Sequence, residues 1–265
     1  MKIMTSDHRA AIWVRKLALP VLLIAVWQLW ASTLPAGSPA PAPLKVLVTL
    51  GDLLSTGSLL SATVQSLGRV MLGFAMASLL GIALGLLMGA SHAVRENLDP
   101  IIESFRPIAP MAILPIAILW LGTGTPTALA IVAYASFFPV IINTVHGVSR
   151  VDRKLVLAAR TMGISRWTIL TRVVLPGALP SILLGTRLAM GVAWTAIIAA
   201  ELAVGAKSGG GGSGGIGQMM FVFYAYNIDL NAIVVCMAVV GVVALLIDQL
   251  FRLVEKRLIP WKASP

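Results

Sequence analysis

The sequence predicts an all-α, polytopic membrane protein that forms one domain over residues 1–265 and crosses the bilayer six times. Only 11% of the 265 residues are charged, whereas a soluble domain carries about a quarter. The mean hydropathy is +0.93, and several apolar runs are long enough to cross a hydrocarbon core of about 30 Å. The net charge of +10 comes from short segments beside those runs. It therefore indicates orientation in a membrane and not a nucleic-acid ligand.

Six apolar runs define the predicted spans, which are Leu17–Leu34, Leu67–Gly89, Ile101–Gly122, Pro126–Gly147, Leu179–Val204 and Ala232–Leu253. The first could be a signal peptide, because a basic segment precedes it. Its length and the tryptophans near both ends favour a retained helix. In the second span, small residues at spacings of four and eight predict a surface on which another helix packs closely; they are Gly73, Gly81, Gly85 and Gly89.

Three prolines in the third span, Pro107, Pro110 and Pro115, remove backbone donors and predict a kinked helix. Carbonyl groups that a kink frees are tolerated in a membrane where they face a cavity. We therefore expect the third to fifth spans to line a pathway. The basic residues between the spans predict the orientation. Residues 35–66, 122–126 and 205–231 together hold only two basic residues, Lys45 and Lys207. The positive-inside rule then places both termini and residues 148–178 in the cytoplasm.

The external segment Gly205–Gly217 contains the run SGGGGSGG, which has the composition of a flexible coil. We expect its length to be dispensable, because the entropy of loop closure changes slowly with length. A phosphate-binding role is disfavoured, since the chain contains no Gly-Lys pair of a phosphate-binding loop.

The cytoplasmic segment 148–178 predicts a helix, a glycine turn and a second helix. Asp152 and Ser165 are candidate N-caps, and Gly163 suits the left-handed position that ends a helix. The sequence Leu175–Pro176–Gly177 is expected to end the second helix. Apolar residues recur at helical spacing in the first helix and are expected to share one face: Leu155, Val156, Ala158, Ala159 and Met162. Such a hairpin either docks into a groove of a partner or lies on anionic lipid.

This segment resembles the EAA loop of bacterial ABC importer permeases. The pattern E-A-A-x3-G-x9-I-x-L-P falls on Leu157, Ala158, Ala159, Gly163, Val173, Leu175 and Pro176. Leu157 replaces the glutamate, which removes a possible charge contact with an ATPase, and Val173 replaces isoleucine. The chain is most similar to the permeases of taurine, alkanesulfonate and nitrate importers in three segments: Phe105–Gly124, Leu175–Leu202 and Leu258–Trp261.

The resemblance implies a type I ABC importer permease fold in a bacterial plasma membrane. The coupling helix of such a permease, here with Ile164, Ser165 and Trp167, sits in a cleft of a cytoplasmic ATPase. The implied partners are two ATPase subunits, a substrate-binding protein outside the membrane and a second copy of the permease. The implied cargo is a sulfonate, taurine or nitrate, with bicarbonate, cyanate or a thiamine precursor as alternatives. ATP and Mg would be bound by the ATPase, and no cofactor is expected in this chain.

The residues themselves favour a transport subunit over an enzyme, because the sequence shows no nucleotide motif, catalytic dyad or metal-ligand spacing. A self-sufficient secondary transporter would need an internal repeat, and none is evident. Polar residues within the spans are candidates for a pathway or gate: Arg187, Trp194, Thr195, Asn143 and Glu201. Arg187 is expected to meet an anion or a structural carboxylate such as Glu103. Packing is the alternative role for the tryptophan, the threonine and the asparagine.

Overall fold

The computed structural model describes residues 6–35, 40–207 and 214–259, and these ranges contain helices and no strand. The first half of the chain forms α1 (Ser6–Ser32), α2 (Pro43–Ser55), α3 (Ser58–Ala90), α4 (His92–Phe105), α5 (Pro110–Leu121) and α6 (Thr125–Ser149). The second half forms α7 (Arg153–Thr161), α8 (Arg166–Ile169), α9 (Leu175–Lys207), α10 (Ile216–Val222) and α11 (Leu230–Leu258). Two π-helical turns, Leu170–Val174 and Phe223–Asn227, follow α8 and α10.

The predicted all-α membrane class is confirmed, but the count of six spans is not. Within the described ranges, four helices are long and apolar enough to cross a membrane: α3, α6, α11 and the continuous helix Arg166–Gly205. A fifth span requires α4 and α5 to be counted together across a bend of 92°. In α1, the stretch whose side chains the structure describes, Ala18–Ser32, is a shorter apolar helix. The predicted third span is thus broken, because Pro107 supplies no backbone donor and Pro110 starts a new helix.

One predicted helix end was wrong, and two predicted connectors contain short helices. Leu175–Pro176–Gly177 does not end a helix, since α8 continues through the π-helical turn into α9. In that turn the N–H of Leu175 donates to the carbonyl of Leu170. The backbone hydrogen bonds just before Pro176, the residue that has no N–H to donate, are therefore already those of a π-helix. The connectors predicted before the second span and after the fifth also contain short helices, α2 and α10, which pack around the buried residues Leu59, Ile216, Val235 and Cys236.

The centre of the fold is α6, which lies between α3 and α9. The predicted glycine surface of α3 is confirmed. A Cβ added at Gly85 would lie 2.6 Å from Cβ of Thr144, and one at Gly89 would lie 2.5 Å from Cβ of Val148. On the other side of α6, a Cβ at Gly185 of α9 would lie 2.5 Å from Cβ of Asn143. Glycine thus lets two helix backbones approach α6 closely.

The first helix is tied to the second by two hydrogen bonds. Trp27 Nε1 donates to the carbonyl of Pro41 at 3.0 Å. The backbone N–H of Leu44 donates to Gln28 Oε1 at 3.2 Å. The C-terminal part of α1 is therefore attached to the rest of the domain.

Candidate coupling hairpin and membrane cavity

The coupling hairpin, which we define as residues Arg153–Val174, has the predicted turn and caps. The Asp152 carboxylate accepts from the N–H of Lys154 at 2.8 Å, and Ser165 Oγ accepts from the N–H of Thr168 at 3.2 Å. Gly163 has a φ of +73°, and its N–H donates to the carbonyl of Arg160 at 3.0 Å. These three local predictions are confirmed.

The inner face of the hairpin packs against the membrane domain. Ala159, Ile169 and Val174 are buried together with residues at the ends of α6 and α9, and Val156, Val173 and Leu175 pack against this cluster. The sequence predicted that Leu155, Val156, Ala158, Ala159 and Met162 share one face. In the structure Val156 and Ala159 take part in this contact, whereas Leu155, Ala158 and Met162 are exposed, and Met162 follows the last helical residue, Thr161. Ala159 lies at a structural contact within this chain, and Ala158 remains exposed.

The outer face of the hairpin exposes large apolar side chains. Trp167 is 73% exposed, Met162 77% and Leu157 58%. Ile164 is also exposed, and the exposed residues Arg160 and Arg166 flank this surface. Pro176, the last position of the loop pattern, is exposed as well. The arrangement is an apolar knob with a basic rim, the chemistry of a short helix that docks into a groove.

Arg187 is held by a carboxylate other than the predicted one. Its Nε donates to Asp248 Oδ1 at 2.7 Å, and Asp248 Oδ2 accepts from Arg252 Nε at 2.9 Å. The expected pairing with Glu103 is wrong, because α11 lies beside Arg187 whereas Glu103 is exposed on α4. Structural pairing, the alternative to a role in the pathway, is what the structure shows for Arg187.

Glu201 belongs to a buried network that we call the external clamp: Ser66, Arg69, Glu201 and Gly214–Gly217. The Glu201 carboxylate is 3% exposed. It accepts from Arg69 Nη1 at 2.7 Å, from Ser66 Oγ at 2.7 Å and from the N–H of Gly217 at 3.0 Å. Arg69 Nη1 also donates to the carbonyl of Gly214 at 2.7 Å. Glu201 thus does not line the cavity described below.

The clamp corrects the prediction of a flexible segment over Gly205–Gly217. Residues 214–217 are fixed by the clamp, and a Cβ at Gly217 would lie 2.5 Å from the carbonyl oxygen of Ile198. Residues 208–213 of the predicted coil lie outside the described residues. Sequence reasoning missed Arg69, although a lone arginine inside a predicted span was the signal that could have revealed the network.

Two other candidates of α9 have different positions. Trp194 is 2% exposed, and its Nε1 donates to the carbonyl of Val240 at 3.1 Å, so this side chain packs between α9 and α11. Thr195 is exposed, and its Oγ1 donates to the carbonyl of Val192 at 2.9 Å within its own helix. Thr195 is therefore on the open face of α9.

An open cavity of about 370 Å³ lies between the α4–α5 bend, α6 and α9. Tyr134 Oη donates to the carbonyl of Phe105 at 2.7 Å and to that of Ile108 at 3.3 Å, two carbonyls at the bend. Asn143 Nδ2 donates to the carbonyl of Pro139 at 2.8 Å. The lining of the cavity includes Arg106, Ile108, Tyr134, Phe138, Asn143 and Leu188. Of the five candidate pathway residues, the structure brings Asn143 to this cavity.

Residues 77–260 match the family described as the inner membrane component of binding-protein-dependent transport systems. The chain belongs to this family. It is 37% identical over 250 residues to the taurine transport system permease protein TauC of Escherichia coli, with 92% of this chain and 87% of that protein covered. It is 34% identical over 253 residues to the nitrate import permease protein NrtB of Synechocystis, with 92% and 88% covered.

A solved structure shows the same fold. A chain of the MetNI methionine ABC transporter in an inward-facing conformation aligns with a TM-score of 0.62 and 18% sequence identity. The alignment covers 76% of this chain and 96% of that chain. The fold is therefore that of an ABC importer permease.

As a permease of this family, the chain is a membrane-embedded transport subunit and not an enzyme. The coupling hairpin and the cavity both lie within the matched residues, whereas Ser66 and Arg69 of the external clamp precede them. The described ranges contain no group of three or more His, Cys, Asp or Glu side chains placed to hold a metal ion.

Proposed function

We propose that two copies of this permease form the pathway of an ATP-driven importer for a small anion, and that the coupling hairpin transmits ATPase motion to it. The observation that carries the proposal is the exposed apolar knob at Met162 and Trp167 on a hairpin whose opposite face is buried. A surface that is apolar on the outside and anchored on the inside can pass a displacement from a partner to α6 and α9.

The ATPase partner supplies the nucleotide chemistry. Two cytoplasmic ATPase subunits would bind ATP and Mg, and each would receive the short helix after Gly163 in a cleft. The basic rim at Arg160 and Arg166 would face the rim of that cleft. This role needs both termini and residues 148–178 in the cytoplasm, in agreement with the distribution of basic residues.

The relatives support a proposal for the substrate class. TauC is named for taurine and NrtB for nitrate. Taurine carries a sulfonate group and nitrate is an anion, so both present oxyanion oxygens. We propose that this permease carries a sulfonate such as taurine, or nitrate, delivered by a separate binding protein outside the membrane. Bicarbonate, cyanate or a thiamine precursor would use the same ABC architecture.

A homodimer would complete the pathway. The cavity is open on one side, and the adjoining face of α9 exposes Leu184, Leu188 and Thr195. On the same helix, Gly191 has open space where a Cβ would stand. A second copy related by a two-fold axis would cover this face and place two cavities on one pathway.

Reconstitution into liposomes tests the proposal. The permease, the ATPase and the binding protein encoded with it are combined, and uptake of taurine and nitrate is measured with and without ATP. We expect ATP-dependent uptake of one of them and, by native mass spectrometry, two permeases with two ATPases. Uptake by the permease alone would indicate a secondary transporter, and one permease per two ATPases would contradict the homodimer.

A further inference from the structure

Arg106 is exposed in this chain but lies at about mid-depth of the membrane domain. It follows Phe105, whose carbonyl accepts a hydrogen bond from Tyr134 Oη. Tyr134 lies nine residues after the start of α6 and fifteen before its end, which are about 14 Å and about 22 Å along the helix. Arg106, which the predicted third span Ile101–Gly122 includes, therefore lies well inside the membrane domain.

Within the described ranges the charge of Arg106 has no partner, unlike that of the two arginines in α3 and α9. Arg69 pairs with Glu201 and Arg187 with Asp248. No hydrogen bond or ion pair joins the Arg106 guanidinium to another residue in the described ranges, Glu103 included. An unpaired arginine at this depth is costly unless it faces a water-filled space or meets an anion.

The cavity around Arg106 combines one cation with apolar walls. Ile108, Phe138, Leu188 and Val192 form the walls, and Asn143 adds a single amide. The volume of about 370 Å³ lies within the range of small-molecule sites, roughly 300–1,000 Å³. Apolar walls offer nothing to a bare inorganic ion, which would lose hydration there. They suit an anion that carries a short carbon chain.

We infer that Arg106 binds the oxyanion head of a short-chain organic sulfonate within this cavity, while the apolar walls hold its carbon chain. The planar guanidinium donates paired hydrogen bonds to oxyanions. This inference rests on the proposed function as an anion importer. It assigns to Arg106 the role that the sequence suggested for Arg187, whose charge is already used by Asp248.

Thiol labelling of the full chain in membrane vesicles tests the inference without the ATPase or the binding protein. Cys236, the only cysteine, is changed to alanine, and Asn143→Cys places a thiol in the cavity. The labelling rates with anionic sulfonatoethyl methanethiosulfonate and with cationic trimethylammonioethyl methanethiosulfonate are compared. The comparison is repeated with Arg106→Gln and with a control, Arg95→Gln, whose side chain lies in an exposed ion pair on α4.

We expect Arg106→Gln to lower the ratio of anionic to cationic labelling about tenfold, because a unit charge a few ångströms away is removed. Arg95→Gln should leave the ratio unchanged. Ethanesulfonate should slow labelling more than nitrate does at equal concentration, and only when Arg106 is present. An unchanged ratio with Arg106→Gln, no labelling of the introduced thiol, or equal protection by nitrate would overturn the inference. These results would leave ATP-dependent import, measured in liposomes, as a separate question.

Discussion

The coupling hairpin and the external clamp are both built around glycine, but they place different demands on it. At Gly163 the backbone is left-handed with φ of +73°, and nothing lies within 4 Å of an added Cβ. At Gly217 the φ is not in the left-handed region, but an added Cβ would meet the Ile198 carbonyl and Glu201. The hairpin needs only the conformational freedom of glycine. The clamp needs that freedom at Gly214 and Gly215, whose φ values are +79° and +110°, and the small volume of glycine as well.

The two regions also differ in what covers them. The clamp is buried within this chain and satisfies its charges internally. The hairpin is buried on one face and leaves Trp167 and Met162 exposed on the other. Residues 214–217 thus belong to the buried structure of this chain, whereas the hairpin exposes an apolar surface of the kind that marks interaction sites.

The largest effect is expected from breaking the clamp with Glu201→Gln. The substitution leaves Arg69 buried without its countercharge, and loss of one partner of a buried pair costs about 3–5 kcal/mol in the free energy of unfolding. Asp248→Asn is the control at the more exposed Arg187 pair, where a much smaller loss is expected because solvent screens the pair. Denaturant unfolding in detergent micelles measures both. Equal losses would mean that the clamp contributes no more than the exposed pair.

A smaller loss of stability is expected from Gly217→Ala. The new methyl group would overlap the Ile198 carbonyl, and overpacking of this kind costs about 1–3 kcal/mol. Gly241→Ala is the control, because nothing lies within 4 Å of that position in α11 and alanine favours a helix by up to about 1 kcal/mol. The same unfolding measurement applies. A Gly217 variant as stable as the Gly241 variant would show that the clamp tolerates a side chain.

Gly163→Ala should affect ATPase binding more than stability, whereas Gly217→Ala should affect stability. Left-handed backbone costs a non-glycine residue about 1–2 kcal/mol, and there is no steric overlap to add to it. We therefore expect a small change in stability but a clear loss of ATPase recovery, because the turn aims the helix that carries Trp167. The melting temperature and the amount of co-purified ATPase are measured together. Loss of stability without loss of ATPase would contradict this role of the turn.

The smallest effect is expected from lengthening residues 209–212 by four glycines. Loop closure entropy grows slowly, so the change in the free energy of unfolding should stay below about 0.6 kcal/mol. The clamp glycines 214–217 are left in place, which separates length from packing. Unfolding and uptake are both measured, and complete loss of uptake would mean that the length of this segment matters for transport.

Local rules predicted the hairpin well and the clamp poorly. Asp152, Gly163 and Ser165 act on backbone groups within three residues in sequence, so capping and turn chemistry reveal them. Arg69 and Glu201 lie 132 residues apart, and only the tertiary fold brings them together. The same holds for Arg187 and Asp248, 61 residues apart. The depth of Arg106 in the membrane likewise depends on the tertiary contact between Phe105 and Tyr134, which the sequence pattern does not contain.

The central claim is that the outer face of the coupling hairpin binds the ATPase, and Trp167→Ala tests it most directly. Trp30→Ala is the matched control, since Trp30 is also exposed, at 56%, but lies on α1. Each variant is purified with the ATPase encoded beside it, and ATPase recovery, melting temperature and ATP-dependent uptake are measured. We expect Trp167→Ala to weaken ATPase binding about tenfold or more with an unchanged melting temperature, and Trp30→Ala to behave as the wild type. Full ATPase recovery and wild-type uptake with Trp167→Ala would contradict the claim and leave the hairpin as a membrane-surface element.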